Sequence, residues 1–197
     1  MRNTGILIFD DAEVLDFCGP FEVFSVTNEL NNFELFNVFT VSEGRQTIRA
    51  KNGLKVQPDH SIRRCPAPDI LLIPGGWGTR KLMKNEPMLS WIRTVAARTE
   101  LLLSVCTGSL VLAKAGLLDG MKATTHHEAI TLLGETAPNA EIISDQRFVD
   151  NGSVIVSAGI SAGIDMCLYV VAKLHGEEVA SRTALYMEYA WDREKWR

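Results

Sequence analysis

The sequence predicts an α/β fold: a three-layer α-β-α sandwich around a mostly parallel, doubly wound sheet. Three observations carry this. Apolar runs at 5–9, 69–74 and 101–105 have the length and continuity of strands buried on both faces. Segments of helical periodicity lie between them, which is the alternation that parallel strands need for their crossovers. No linker, repeat or low-complexity segment interrupts the 197 residues, so 1–197 reads as one domain.

The elements follow in order. Strand one at 5–9 ends in an acidic turn, Asp10-Asp11. A helix covers 15–30, with Val14, Phe17, Phe21, Phe24 and Val26 supplying apolar surface. Gly19-Pro20 interrupts it, and proline is easiest in a first turn. The helix proper is therefore expected to start near Gly19, with Asp16 on the segment leading into it. Residues 33–41 alternate as a strand, and 46–56 form a hairpin turning at Asn52-Gly53. The strand at 69–74 runs into Gly75-Gly76-Trp77-Gly78. An amphipathic helix covers 87–98, and then comes the strand that leads to Cys106. A short strand at 122–125 stops at His126-His127, followed by a helix to Leu133, a strand at 141–144 and a hairpin over 147–157 turning at Asn151-Gly152. Helices over 161–175 and 177–189, joined at Gly176, close the chain.

Composition narrows the class. With 46% hydrophobic residues there is material for a sizeable core, and a net charge of −4 gives no basic footprint for nucleic acid. No apolar run reaches membrane-spanning length and no signal peptide is visible, so a cytoplasmic protein without a membrane partner is expected. The four cysteines, Cys18, Cys65, Cys106 and Cys167, form no C-x-x-C pair and read as reduced thiols.

The chemistry centres on Ser104-Val105-Cys106-Thr107-Gly108. A strand that turns into a helix at a nucleophile between small residues is the plan of the nucleophile elbow. A core cysteine at a strand end would use the same residues, and this stretch alone does not separate the two. In doubly wound sheets the ligand crevice lies outside the carboxyl ends of the strands. Asp16, Gly75-Gly76, Cys106 and His126 each follow such an end and should converge there. A helix opening at Thr107 would aim N–H groups at the sulfur and favour the thiolate. Asp16, kept neutral in a dry pocket beside it, could donate a proton; an N-cap or a surface charge would use the same aspartate. Gly75-Gly76 lets backbone N–H groups approach a ligand, as an oxyanion site requires; a plain loop would look alike. Gly76-Trp77-Gly78 lacks the third glycine of a dinucleotide fingerprint, and there is no Walker sequence. His126-His127-Glu128 lacks H-E-x-x-H spacing, and two adjacent histidines cannot both face one ion. No metal is expected. His126 reads better as a base or a pocket wall.

Together these residues resemble the ThiJ/PfpI superfamily, which has a flavodoxin-like, class I glutamine amidotransferase-like fold. The marks run over nearly the whole chain: Leu15-Asp16-Phe17-Cys18-Gly19-Pro20, Pro74-Gly75-Gly76, Ser104 to Ser109, Ala123 to His126, and Ser157-Ala158-Gly159-Ile160-Ser161-Ala162-Gly163-Ile164-Asp165. The pattern is most like isonitrile hydratases and the ligand-sensing domains of AraC-type regulators, which share the aspartate where deglycase and glyoxalase branches carry glutamate. The resemblance implies Cys106 as nucleophile, Asp16 as its proton donor and general acid/base, and Thr107 as a functional position. Gly75, Gly76, Trp77, His126, Gly159 and Ile160 would form the substrate and oxyanion pocket, with the backbone around Gly76 and Thr107 supplying the oxyanion donors. It implies no cofactor, a small-molecule substrate and a homodimer, for which the sequence itself offers only the aromatic residues Tyr186, Tyr189, Trp191 and Trp196; these could equally cap the core. Protease-like members place histidine after the cysteine, and Thr107 here argues against a peptidase. The regulators append a helix-turn-helix domain, whereas this chain ends at Arg197, so no nucleic-acid partner is expected. The expected activity is hydration of an isonitrile by a hydro-lyase. A glyoxalase or deglycase acting on reactive aldehydes and a non-enzymatic redox or ligand sensor are the alternatives.

Overall fold

A computed structural model describes residues 1–192. Strand β1 (Arg2–Leu7) leads into α1 (Val14–Glu29) and β2 (Phe36–Ser42). A small hairpin, β3 (Ile48–Arg49) and β4 (Lys55–Val56), precedes the edge strand β5 (His60–Ser61). Then come β6 (Ile70–Ile73), α2 (Thr79–Leu82), α3 (Glu86–Ala96), β7 (Leu101–Ser104) and α4 (Gly108–Lys114). The chain continues through β8 (Lys122–Ala123), α5 (Ile130–Thr136), β9 (Glu141–Ile142), the hairpin β10 (Phe148–Asp150) and β11 (Val154–Ser157), and helices α6 (Ala162–His175) and α7 (Glu177–Tyr186).

The main sheet has seven strands in the order β10-β11-β7-β6-β1-β2-β5, every pair parallel except β10–β11. Successive side chains of a strand alternate faces. Ile70, Leu72 and Leu103 accordingly pack against α1, α6 and α7, while Leu71, Ile73 and Leu102 pack against α2 to α5. This is the expected three-layer, doubly wound arrangement. The winding direction reverses between β1 and β6, the place where such sheets open a crevice.

Local expectations differ from the structure in informative ways. Helix α1 does not wait for Gly19: it runs through Pro20, and Asp16 lies in its first turn. Burial of Phe17, Gly19, Pro20, Val23 and Phe24 outweighs the local break, and a Cβ on Gly19 would sit 3.0 Å from Ile164 Cγ1, so the glycine lets α1 approach α6. The strands at 122–125 and 141–144 shrink to β8 and β9, which pair with each other in a separate ladder rather than joining the main sheet. Helix α3 starts earlier than expected because Asn85 caps it, its side chain accepting from Met88 N–H at 3.2 Å. Tyr189 and Trp191 pack half-buried against the core, Tyr186 is exposed, and Trp196 lies outside the described residues.

Candidate active site

The end of β7 makes the sharp turn. Cys106 adopts φ 54°, a left-handed conformation that a non-glycine residue holds only when its surroundings fix it. Those surroundings are explicit. Cys106 N–H donates to Ser157 and Ala158 carbonyls at 3.2 and 3.0 Å, and its carbonyl accepts from Thr125 Oγ1 at 2.8 Å and Ser109 Oγ at 3.1 Å. Gly108 is required next to it, because a Cβ there would collide with the Ile73 carbonyl at the end of β6. The cysteine is 5% exposed and opens onto a cavity of about 260 Å³.

Asp16 reaches this place from α1 and is fully buried. Its Oδ2 accepts from Gly75 N–H at 3.0 Å, and Oδ1 is buried with no oxygen or nitrogen partner. Gly75 sits where three groups meet. A Cβ on it would lie 2.5 Å from Thr107 N, 2.8 Å from Asp16 Oδ2 and 2.8 Å from Cys106 Cβ. The glycine therefore lets the carboxyl and the thiol face each other. Burial pushes the Asp16 carboxyl from 3.8 up to about 7, against the pull of the Gly75 N–H. Burial, and then the Asp16 charge, push the Cys106 thiol up to about 12, and the Asp16 side-chain contact adds to the rise, against the pull of the Thr107 and Ile160 N–H groups on the sulfur. The expectation of a resting thiolate is thus corrected: two N–H groups at a short helix do not offset desolvation beside a carboxylate. The proton rests on sulfur, with a near-neutral acid beside it.

Of the backbone expected to supply oxyanion donors, the Gly75 and Gly76 part is occupied. Gly75 N–H is committed to Asp16, and Gly76 N–H donates to Thr107 Oγ1 at 2.9 Å, so neither is free for a substrate. The Thr107 N–H, one of the expected donors, faces the sulfur together with the Ile160 N–H, and these two are the available pair. Thr107 Oγ1 also lies 3.2 Å from the Gly76 carbonyl oxygen and 3.3 Å from Thr79 Oγ1, which ties the nucleophile turn to the loop after β6. Ile160 has φ 52° on a loop anchored by Arg147, which binds buried Asp165 and reaches Ser161 Oγ at 3.2 Å. His126 lines the cavity, its Nδ1 accepting from Glu128 N–H at 3.3 Å and its ring against His127. A Cβ on Gly159 would meet the His126 ring at 2.5 Å, so that glycine makes room for it. Trp77 stands 66% exposed at the rim.

All the expected site residues are thereby placed on or behind one cavity. Sequence reasoning missed Arg80, Glu128 and the 2.6 Å ion pair between Lys51 and Glu13, all of which line it. The Lys51 contact had no local signal, since Lys51 N–H bonds to the Ala12 carbonyl across a long stretch of chain. Arg80 had one: it lies one helical turn beyond Gly76. A second cavity of about 280 Å³ beside the starts of β7 and β11 is lined by residues such as Thr99, Leu102, Leu117 and Met121 and carries no cysteine or histidine. Among the described residues no group of three or more His, Cys, Asp or Glu could hold a metal, and no helix is long and apolar enough to cross a membrane.

A profile of the DJ-1/PfpI family matches residues 3–173. The chain is 35% identical over 191 residues to an isonitrile hydratase of Pseudomonas putida, covering 95% of this chain and 78% of that one. It is 30% identical over 181 residues to the HTH-type transcriptional regulator GbdR of Pseudomonas aeruginosa, covering 91% of this chain but 48% of the regulator, about half its length. A solved structure of a ThiJ/PfpI family protein from Pseudomonas syringae superposes with a TM-score of 0.87 at 29% identity, covering 97% of this chain and 76% of that one.

Proposed function

The chain belongs to the DJ-1/PfpI family, and on that premise we propose that it is a cysteine-dependent hydro-lyase that converts an isonitrile to an N-substituted formamide. The observation that carries the reading is the buried Asp16 carboxyl, raised to about 7, facing the Cys106 thiol across Gly75. An isonitrile needs a nucleophile and a proton at the same terminal carbon, and this pair supplies both. Sulfur attacks that carbon as its proton passes to Asp16. Asp16 then delivers a proton to the carbon, giving a thioformimidate, R–N=CH–S–Cys. Asp16, now ionised, takes a proton from water as the water oxygen adds to that carbon. Asp16 passes that proton to the nitrogen, the hydroxyl proton moves to the sulfur as the C–S bond breaks and the C=O bond forms, and R–NH–CHO leaves with the thiol restored. The sum is one isonitrile plus one water. Thr107 and Ile160 N–H groups hold the sulfur while its charge changes.

Incubation with cyclohexyl or aryl isonitrile should yield the formamide by NMR, with methylglyoxal left unchanged. Cys106→Ser should abolish turnover; full hydration by that variant would exclude the covalent route. A homodimer in the cytoplasm goes with this reading and is checked by light scattering and fractionation.

The similarity to a transcriptional regulator over 91% of this chain favours one other reading, a ligand-sensing domain built on the same pocket. It would be preferred if isonitriles and methylglyoxal were both untouched while a small molecule raised the melting temperature.

A further inference from the structure

We propose that Arg80, seated on Trp77 at the wall of the Cys106 cavity, receives a carboxylate carried by the substrate. This deepens the isonitrile reading, on which it rests for the reaction, by naming the substrate class: a small isonitrile bearing an acid group.

The Arg80 guanidinium lies 4.8 Å from the Trp77 ring centroid. Its NH1 donates to the Gly76 carbonyl at 3.4 Å and to Thr79 Oγ1 at 3.2 Å. The Gly76 carbonyl also lies 3.2 Å from Thr107 Oγ1, so the cation is anchored through one shared acceptor to the residue that follows the nucleophile. These hydrogen bonds use NH1 only. Among the described residues no carboxylate lies within ion-pair distance of Arg80, and its Nε and NH2 edge makes no hydrogen bond.

The other charges of the site are accounted for. Lys51 is neutralised by Glu13 at 2.6 Å. The Glu128 side chain is 79% exposed and turned toward His126. Asp16 is fully buried behind Gly75, with its carboxyl given to the Gly75 N–H and the Cys106 thiol. Arg80 is therefore the cavity's uncommitted cation. A guanidinium fixed on an aromatic face keeps a planar fork of donors, and that fork matches a carboxylate bidentately. Because packing has already restricted the side chain, little freedom remains to be lost when the anion docks. The cavity that Arg80 and Cys106 both line measures about 260 Å³, space for only a small organic body.

The test compares alkylation of Cys106 by iodoacetate and iodoacetamide, near-isosteres that differ in charge, followed by mass spectrometry of the Cys106 peptide. In each case an S–C bond forms, iodide leaves and the thiol proton goes to buffer. Arg80→Met should lower the iodoacetate-to-iodoacetamide rate ratio about tenfold, the scale of one charge-assisted contact at a half-buried site. Arg80→Lys, which keeps the charge, should hold the ratio within about threefold of wild type. A ratio for Arg80→Met within about twofold of wild type overturns the proposal. Wild-type protein gives a second measure: benzoate should protect Cys106 from iodoacetamide better than benzamide at equal concentration, and equal protection overturns it. Neither readout needs turnover. If isonitriles are not hydrated and the ratio still falls, the reaction is wrong and the anion site stands. If neutral isonitriles are hydrated and the ratio does not respond, the reverse holds.

Discussion

Replacing Asp16 with asparagine should remove a pH-dependent stability penalty as it disables the site. A rise of the Asp16 pKa from 3.8 to about 7 means that the folded chain resists ionising this carboxyl while the unfolded chain does not. Below about pH 4 both states are protonated, and the group contributes no pH dependence. Between the two pKa values the folded state holds more protons than the unfolded state, so stability falls as pH rises. Above pH 7 the loss is complete, and at about 1.36 kcal/mol per pH unit it amounts to about 4 kcal/mol. Asp16→Asn carries no such penalty. Its carbonyl can still accept from Gly75 N–H, but its NH₂ inherits the partnerless Oδ1 position, a fixed cost of about 1–3 kcal/mol. The variant should therefore be the less stable protein at pH 4 and equal or more stable at pH 8. Urea unfolding at pH 4, 6 and 8 measures this: the difference between variant and wild type should move by about 4 kcal/mol across the series. A difference that stays flat within about 1 kcal/mol would refute the claim that burial holds this carboxyl near neutrality. Turnover should fall about 10²–10⁴-fold in the same variant, the usual worth of a positioned general acid/base.

Two further perturbations probe the scaffold. Gly75→Ala puts a methyl group 2.5 Å from Thr107 N and 2.8 Å from Cys106 Cβ, so it should cost about 1–3 kcal/mol in urea unfolding and abolish activity by prising the acid from the thiol. Asp165→Asn removes the buried charge that Arg147 Nε binds at 2.7 Å and Tyr189 OH at 3.1 Å. It should lower stability by about 1–3 kcal/mol, and it should shift the pH profile of Cys106 alkylation upward as the Ile160 N–H loosens; an unchanged profile would show the network to be structural only.

The sheet was legible because its central strands are short runs of Ile and Leu buried on both faces, a pattern that needs no tertiary information. The hairpin turns were legible for a similar reason, since Gly53 and Gly152 hold φ 94° and 90°, conformations suited to glycine. Cys106 and Asp16 could be found because each follows a strand end. What failed was whatever depends on competition between distant groups. Pro20 argued for a late helix start until the packing of α1 against α6 overrode it. The thiolate followed from the helix that opens after Thr107, but the burial and the facing carboxylate that reverse it come from other parts of the chain. Gly75 and Gly76 did supply close approach, yet their N–H groups are spent on Asp16 and Thr107 rather than on a ligand. Sequence position cannot show which of several nearby acceptors a donor will choose.

The residues that make the site come from positions 16, 75–76, 106–107 and 159–160, carried by the segments that follow β1, β6, β7 and β11. None of these contacts is local, and pairings of this kind form late and slowly during folding. A chain with only one half of the sheet assembled would have a cysteine but no facing carboxyl, or a carboxyl with no elbow to face. The suppressed ionisation peculiar to Cys106 should therefore emerge only when the four parallel strands stand in register, which makes this thiol a built-in clock for the completion of folding.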